Sequence, residues 1–145
     1  MKKEPAQKNI LFVCIENSNR SQMAEAFAKI HGSAIVNSFS AGSRPSGKIN
    51  PKAIEAMKLI GYDLTMHSSK SADDFRNVEL DYVVTMGCGD ECPFLPAKKR
   101  EDWEIPDPKN LPMNEFTAVR NLIELKVKQL LQKIKSESEN RQETI

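Results

Sequence analysis

Between residues 9 and 31 an apolar run ends on a cysteine, a polar loop follows, and a helix-patterned segment begins at Ser21. No other stretch limits so sharply what the chain can become. Ile10, Leu11, Phe12 and Val13 lead into Cys14 on a strand over 9–14. Ile15, Glu16, Asn17, Ser18 and Asn19 separate Cys14 from Arg20, and Met23, Ala24, Phe27 and Ile30 recur at helical spacing over 21–31 as the positions expected to be buried. A strand that enters a helix through a tight loop is the opening unit of an α/β fold built on a parallel sheet. Five residues between a cysteine and an arginine let the loop curl until backbone N–H groups, the Arg20 guanidinium and the helix amino end face one tetrahedral oxyanion. A positive field of this kind favours thiolate over thiol, which makes Cys14 a candidate nucleophile. Ser21 opens the helix, where its hydroxyl caps free amides or hydrogen-bonds the sulfur. The competing reading is a buried cysteine beside a surface arginine; the position directly after an apolar strand favours the anion loop.

The rest of the chain continues the alternation. Residues 34–40 form a second strand, and 51–60 a second helix with Pro51 in its first turn and Ile54, Met57, Leu59 and Ile60 as apolar positions. Gly32 and Gly61 are the expected helix stops. Residues 72–75 read as a short helix and 80–86 as a third strand, apolar enough to be buried on both faces. A short fourth strand is expected around 102–105. Residues 113–134 form a long helix whose buried stripe is Phe116, Val119, Leu122, Ile123, Leu130 and Ile134. Residues 1–8 read as a flexible leader and 136–145 as a disordered polar tail, which leaves 9–135 as a single catalytic domain. In parallel α/β sheets the ligand sits beyond the strand carboxyl ends, and both Cys14 and Cys88 fall there.

Composition narrows the function. With 145 residues there is room for one core. A net charge of +1 gives no general attraction to nucleic acid or to membranes, so anion preference has to be local. No segment is apolar enough to span a bilayer or to serve as a signal peptide, and cytoplasm is the expected location. Three cysteines argue against a secreted disulfide framework and for working thiols. Cys88 and Cys92 are four residues apart, a spacing that brings Cα atoms within the disulfide range of about 4.4–6.8 Å on a helical turn or compact loop. The other readings of this pair are structural thiols or a partial zinc site with His67; a zinc site wants more ligands at tighter spacing, so no metal is expected.

The string from Val13 to Ala26 resembles the phosphate-binding loop of the low-molecular-weight protein tyrosine phosphatase superfamily. Its Arg20-Ser21-Gln22-Met23-Ala24-Glu25 continuation is similar to the thioredoxin-coupled arsenate reductases, where the phosphatases carry proline in place of Gln22. Ser40-Ala41-Gly42, Val83-Val84-Thr85-Met86, Cys92-Pro93, Trp103 and Asp107-Pro108 extend the resemblance over most of 9–135. It implies a three-layer α/β fold with an open, parallel four-stranded sheet of order 2-1-3-4 and helices on both faces.

The resemblance also implies roles. Cys14 attacks the oxyanion, whose oxygens are held by the loop Cys14-Ile15-Glu16-Asn17-Ser18-Asn19-Arg20, with Ser21 beside the sulfur and Asp107 as the acid. Asn17 shapes the loop, supported by Glu25 and Ser40. Some relatives bind potassium there, using an aspartate after the His-Ser/Thr-Ser sequence; this chain has Lys70, whose ammonium would pair with Glu25, so no potassium requirement is expected. Cys88 and Cys92 would carry two electrons from substrate to reductant. Their separation by only Gly89-Asp90-Glu91 is shorter than in most of these reductases, which keeps a low-molecular-weight thiol beside thioredoxin as reductant. The expected protein is a monomer with no tightly bound cofactor. Arsenate reduction is the leading reading; phosphomonoester hydrolysis by Cys14, Arg20 and Asp107 and a non-catalytic oxyanion or redox sensor are the alternatives.

Overall fold

A computed structural model describes residues 7–87 and 94–143. Four parallel strands form one sheet in the order β2-β1-β3-β4, as expected: β1 is Lys8–Cys14, β2 Val36–Gly42, β3 Tyr82–Thr85 and β4 Lys99–Asp102. The α-helices are α1 (Arg20–Gly32), α2 (Pro51–Lys58) and α3 (Met113–Glu143), with 3-10 turns at Leu64–Met66 and Ala72–Phe75.

Alternation along β1 divides the core in two. Ile10 and Phe12 face α1 and α3 together with Tyr82 and Val84, and α2 joins this layer through Ala53, Ala56 and Met57. Leu11, Val13 and Val83 point the other way, where Ala72 and Phe75 of the second 3-10 turn and Leu95 cover them. Helical elements therefore lie on both faces. Phe12, Phe27 and Phe116 are wholly buried, each worth about 1.5–3 kcal/mol.

The register puts the site at one edge. Cys14 pairs with Gly42, and Val13 with Thr85, so the carboxyl ends of β1, β2 and β3 meet. β2 runs two residues further than expected, to Gly42. A Cβ on Gly42 would sit 2.5 Å from Ile15 O and 2.9 Å from Asn17 N, so the absence of a side chain lets the loop after β1 lie against the strand.

Five expectations are corrected. Ile30, expected on the buried side of α1, is 43% exposed, and α2 stops at Lys58 and leaves Leu59 and Ile60 exposed beyond it. Gly32 does not end α1 by a left-handed turn; Ser33 follows it in right-handed geometry. A Cβ at Gly32 would instead meet Leu131 Cδ2 at 2.6 Å, so its place is set by the close approach of α3. The fourth strand is 99–102 rather than 102–105. As an edge strand it pairs only with β3 and carries Lys99, Arg100, Glu101 and Asp102, while the apolar Trp103 and Ile105 follow it and are buried. The long helix continues to Glu143 through residues expected to be disordered. Residues 136–143 contain no Gly or Pro to stop it, and Glu137 accepts hydrogen bonds from Tyr82 Oη (2.7 Å) and Lys99 Nζ (2.6 Å). No described helix is long and apolar enough to cross a membrane.

Candidate active site

The loop between β1 and α1 is held from outside by its carbonyls. Cys14 O accepts from Ser43 N (3.2 Å), Ile15 O from Arg44 N (2.8 Å), Glu16 O from Ser46 N (3.0 Å) and Ser18 O from Asn50 N (3.2 Å). Glu16 O also accepts from Ser69 Oγ (3.1 Å), and Asn17 O from Gln22 Nε2 (3.0 Å). A peptide whose carbonyl is tied outward turns the next N–H inward, so the amides after these carbonyls line the concave side. At the amino end of α1, Asn19 makes no side-chain cap and no acidic residue occupies the first turn. That helix end is left open to an anion.

Asn17 turns the loop. It is the one described non-glycine residue with positive φ, 52°, a conformation asparagine tolerates better than most residues. Its side chain is held at both ends: Nδ2 donates to Ser21 Oγ (2.8 Å), while Oδ1 accepts from Gln22 Nε2 (2.9 Å) and Lys70 N (2.8 Å). Ser21 Oγ lies 2.8 Å from Cys14 Sγ. Because that hydroxyl already accepts from Asn17, its own proton is free for the sulfur.

Arg20 is buried with its Nη1 donating to Ile105 O (3.1 Å) and its Nη2 3.9 Å from Asp107 Oδ2. Trp103 packs on Phe12 and Trp103 N bonds Thr85 O (2.8 Å), which pins the segment that delivers Asp107. Lys109 N donates to Asp107 Oδ1 (3.1 Å) and orients the carboxylate. Gly87, at φ 84°, passes so close to Arg20 that a Cβ would collide with Nη1. The result is a cleft of about 110 Å³ lined by Cys14, Ile15, Glu16, Ser18, Asn19, Arg20, Asp107 and Lys109. The Cys14 sulfur, the Arg20 guanidinium and the Asp107 carboxyl thus share one cleft with the loop and the amino end of α1, the kinds of group that attack on a tetrahedral oxyanion would use.

Behind the loop lies a polar cluster around the buried Glu25. Its Oε1 accepts from Ser40 Oγ (2.6 Å) and lies 3.9 Å from Lys70 Nζ, while Oε2 accepts from Lys29 Nζ (2.8 Å). Lys70 Nζ also donates to Ser68 O (2.7 Å). Burial lowers the Lys70 pKa, against the pull of Glu25. His67 bonds Gln22 Oε1 through Nδ1 (3.0 Å) and Tyr62 Oη through Nε2 (2.6 Å). Burial depresses its pKa as well, with Glu25 opposing and Lys29 and Lys70 adding to the shift.

Comparison with known proteins gives this geometry a family. Residues 9–140 match the family described as low molecular weight phosphotyrosine protein phosphatase. The chain belongs to that family. Among its relatives is an arsenate reductase of Staphylococcus aureus (strain Newman), 42% identical over 125 residues, which span 83% of this chain and 94% of that protein. A solved arsenate reductase in the phosphate binding state superposes with a TM-score of 0.80 at 34% identity, covering 88% of this chain and 99% of that one. A thioredoxin-dependent arsenate reductase of Corynebacterium glutamicum gives a TM-score of 0.76 at 32% identity over 90% of this chain and 63% of that one.

Within this family member, seven of the residues expected at the site share its cleft: Cys14, Ile15, Glu16, Ser18, Asn19, Arg20 and Asp107. Asn17 and Ser21 buttress them, and Glu25, Ser40 and Lys70 form the adjoining cluster. Cys88 and Cys92 lie outside the described residues. Sequence reasoning missed Lys29, Gly87, Lys109 and the place of His67. The Glu25–Lys29 pair was detectable as an i,i+4 spacing, and Gly87 as a glycine closing an apolar strand. His67, considered from sequence as a zinc ligand, has both ring nitrogens bonded within the protein. No group of three metal-ligating side chains occurs among the described residues.

Proposed function

We propose that this protein reduces arsenate to arsenite. The observation that carries the reading is one small cleft uniting Cys14, Arg20 and Asp107 in a chain whose helix begins Arg20-Ser21-Gln22, as the arsenate reductases do. Loop amides and Arg20 bind three oxygens of arsenate, Cys14 Sγ attacks arsenic, and Asp107 protonates the departing hydroxide, which leaves as water. Cys88 then attacks Cys14 Sγ. The sulfur–arsenic bond breaks, its electron pair stays with arsenic, and arsenite leaves as a Cys14–Cys88 disulfide forms. Attack of Cys92 on Cys88 frees Cys14 and moves the disulfide to Cys88–Cys92, which a dithiol protein such as thioredoxin, or a low-molecular-weight thiol, reduces. No resident cofactor is needed, and the cycle requires a reducing compartment such as the cytoplasm.

The deciding experiment is arsenate-dependent NADPH oxidation with thioredoxin and its reductase, run beside hydrolysis of a phosphomonoester. Arsenate turnover with weak hydrolysis is expected; strong hydrolysis alone selects the phosphatase reading, and neither activity selects the sensor. Variants divide the labour. Cys14→Ser abolishes both activities, because a serine hydroxyl without a general base is a poor nucleophile. Cys88→Ser keeps hydrolysis and loses thioredoxin-coupled turnover. Cys92→Ser releases about one arsenite per enzyme and stalls as a Cys14–Cys88 disulfide that peptide mapping detects. Normal turnover by both thiol variants would refute the shuttle.

A further inference from the structure

Glu16 and Lys109 both line the cleft that holds Cys14, yet the chemistry above uses neither side chain. They come from separate segments, one from the anion loop and the other from the segment that presents Asp107. Lys109 Nζ lies 3.1 and 3.3 Å from the two carboxylate oxygens of Glu16. We propose that this ion pair is a strap across the mouth of the cleft that selects a free tetrahedral oxyanion over a phosphate ester, an inference that rests on Cys14 being the nucleophile.

Attack from Cys14 Sγ leaves three oxygens to the loop and directs the fourth away from the sulfur, toward Asp107 and the mouth. A free oxyanion has only a hydroxyl there. An ester carries its organic group on that same oxygen, and the group must leave the cleft between the two segments that the pair joins. Among the described lining residues only Cys14 and Ile15 have apolar side chains, and none is aromatic. An aryl group forcing the strap open would therefore recover little by burial. The charge arrangement agrees. An unpaired carboxylate at Glu16 would repel an incoming dianion, and Lys109 cancels it. Lys109 also orients Asp107 through its backbone N–H, so one residue sets both the acid and the closure. The two side chains are 51% and 39% exposed, and pairs so placed are weak enough to open at modest cost. The strap biases the choice of substrate without sealing the site.

The test compares wild type with Glu16→Gln, Lys109→Met and the double variant. Two quantities are measured: kcat/KM for p-nitrophenyl phosphate, whose good leaving group makes little demand on Asp107, and Kd for inorganic phosphate by calorimetry. Both measurements are made well above the second pKa of phosphate, where both ligands are dianions, so a change of local charge acts on them alike and cancels when ester kcat/KM is divided by phosphate affinity. Opening the strap does not cancel. The expected result is a rise of about three- to fivefold in that quotient in both single variants and in the double, the size set by what exposed ion pairs contribute. A quotient that is flat, that falls, or that moves in opposite directions in the two single variants overturns the strap. Wild-type protein that neither binds phosphate nor turns over arsenate overturns the functional reading and the strap with it; wild type that does both, with a flat quotient in the variants, overturns the strap alone.

Discussion

At the scale of single residues, the site depends on groups whose geometry no near-equivalent reproduces. Arg20 is fixed by Ile105 O and faces Asp107, so its planar fork is already aimed before substrate arrives. Arg20→Lys keeps the charge and loses the fork. Turnover should fall by about a hundredfold to a thousandfold, as when a donor to a developing anion is removed; steady-state kinetics and phosphate Kd check it, and near-normal values would place the anion site elsewhere. His67 acts from further away, through Gln22 to Asn17. Its pKa is depressed by burial, with Glu25 opposing and Lys29 and Lys70 assisting. The folded protein thus resists protonating a group that the unfolded chain protonates near pH 6.5. The contribution is full above that pH and is lost as pH falls toward the depressed value, because only the unfolded state gains protons there. Urea unfolding at pH 7.5 and 5.5 should show wild type losing more stability on acidification than His67→Gln. Equal losses would mean that His67 is not the linked group.

Elements act by bringing loops to one edge of the sheet. The turn after β3 shows the constraint at Gly87, which combines a positive φ with a position against Arg20 Nη1. A side chain there meets two penalties, left-handed strain of about 1–2 kcal/mol and displacement of the guanidinium. Gly87→Ala should therefore lower kcat/KM for arsenate by about a hundredfold, the effect of a misplacement near 1 Å, while circular dichroism shows the sheet intact. Unchanged kinetics would mean that Arg20 has room to shift. The loop following β1 is governed in the same way by β2, since Gly42 gives it a surface without a side chain and the amides of Ser43, Arg44 and Ser46 hold its carbonyls. A helix amino end alone would be a weak anion site. Here the strand neighbours turn the whole loop toward it.

Across the whole molecule, the proposed anion pocket, built from backbone amides, exists only when the sheet, α1 and the Asp107 segment are assembled. Phosphate should therefore bind the folded state alone and stabilise it by mass action, by about 2.7 kcal/mol at a hundred times Kd. Thermal melting in phosphate against sodium chloride of equal ionic strength measures this, and identical curves would deny a preformed site. Exchanging sodium for potassium should leave the curve unmoved, since Lys70 and Lys29 already place two ammonium groups beside Glu25.

The division between chain and fold follows the range of the forces. Hydrophobic periodicity is local, so the β1–α1 unit, the parallel alternation and the stripe of α3 were legible in the sequence, as was the Cys14 loop, whose members are contiguous. Elements without an apolar pattern were not. β4 is polar because only one of its edges is paired, and the last turns of α3 are secured by Glu137 bonding Tyr82 and Lys99 across the fold. Asp107 was reached only through the family resemblance, and the tertiary structure alone decided which other distant groups meet. Lys109 reaches Glu16, Ile105 O receives Arg20, and Leu131 packs over Gly32. Each of these contacts joins residues far apart in the chain, and their spacing in sequence carries no trace of a distance that exists only once the sheet has brought its strand ends together.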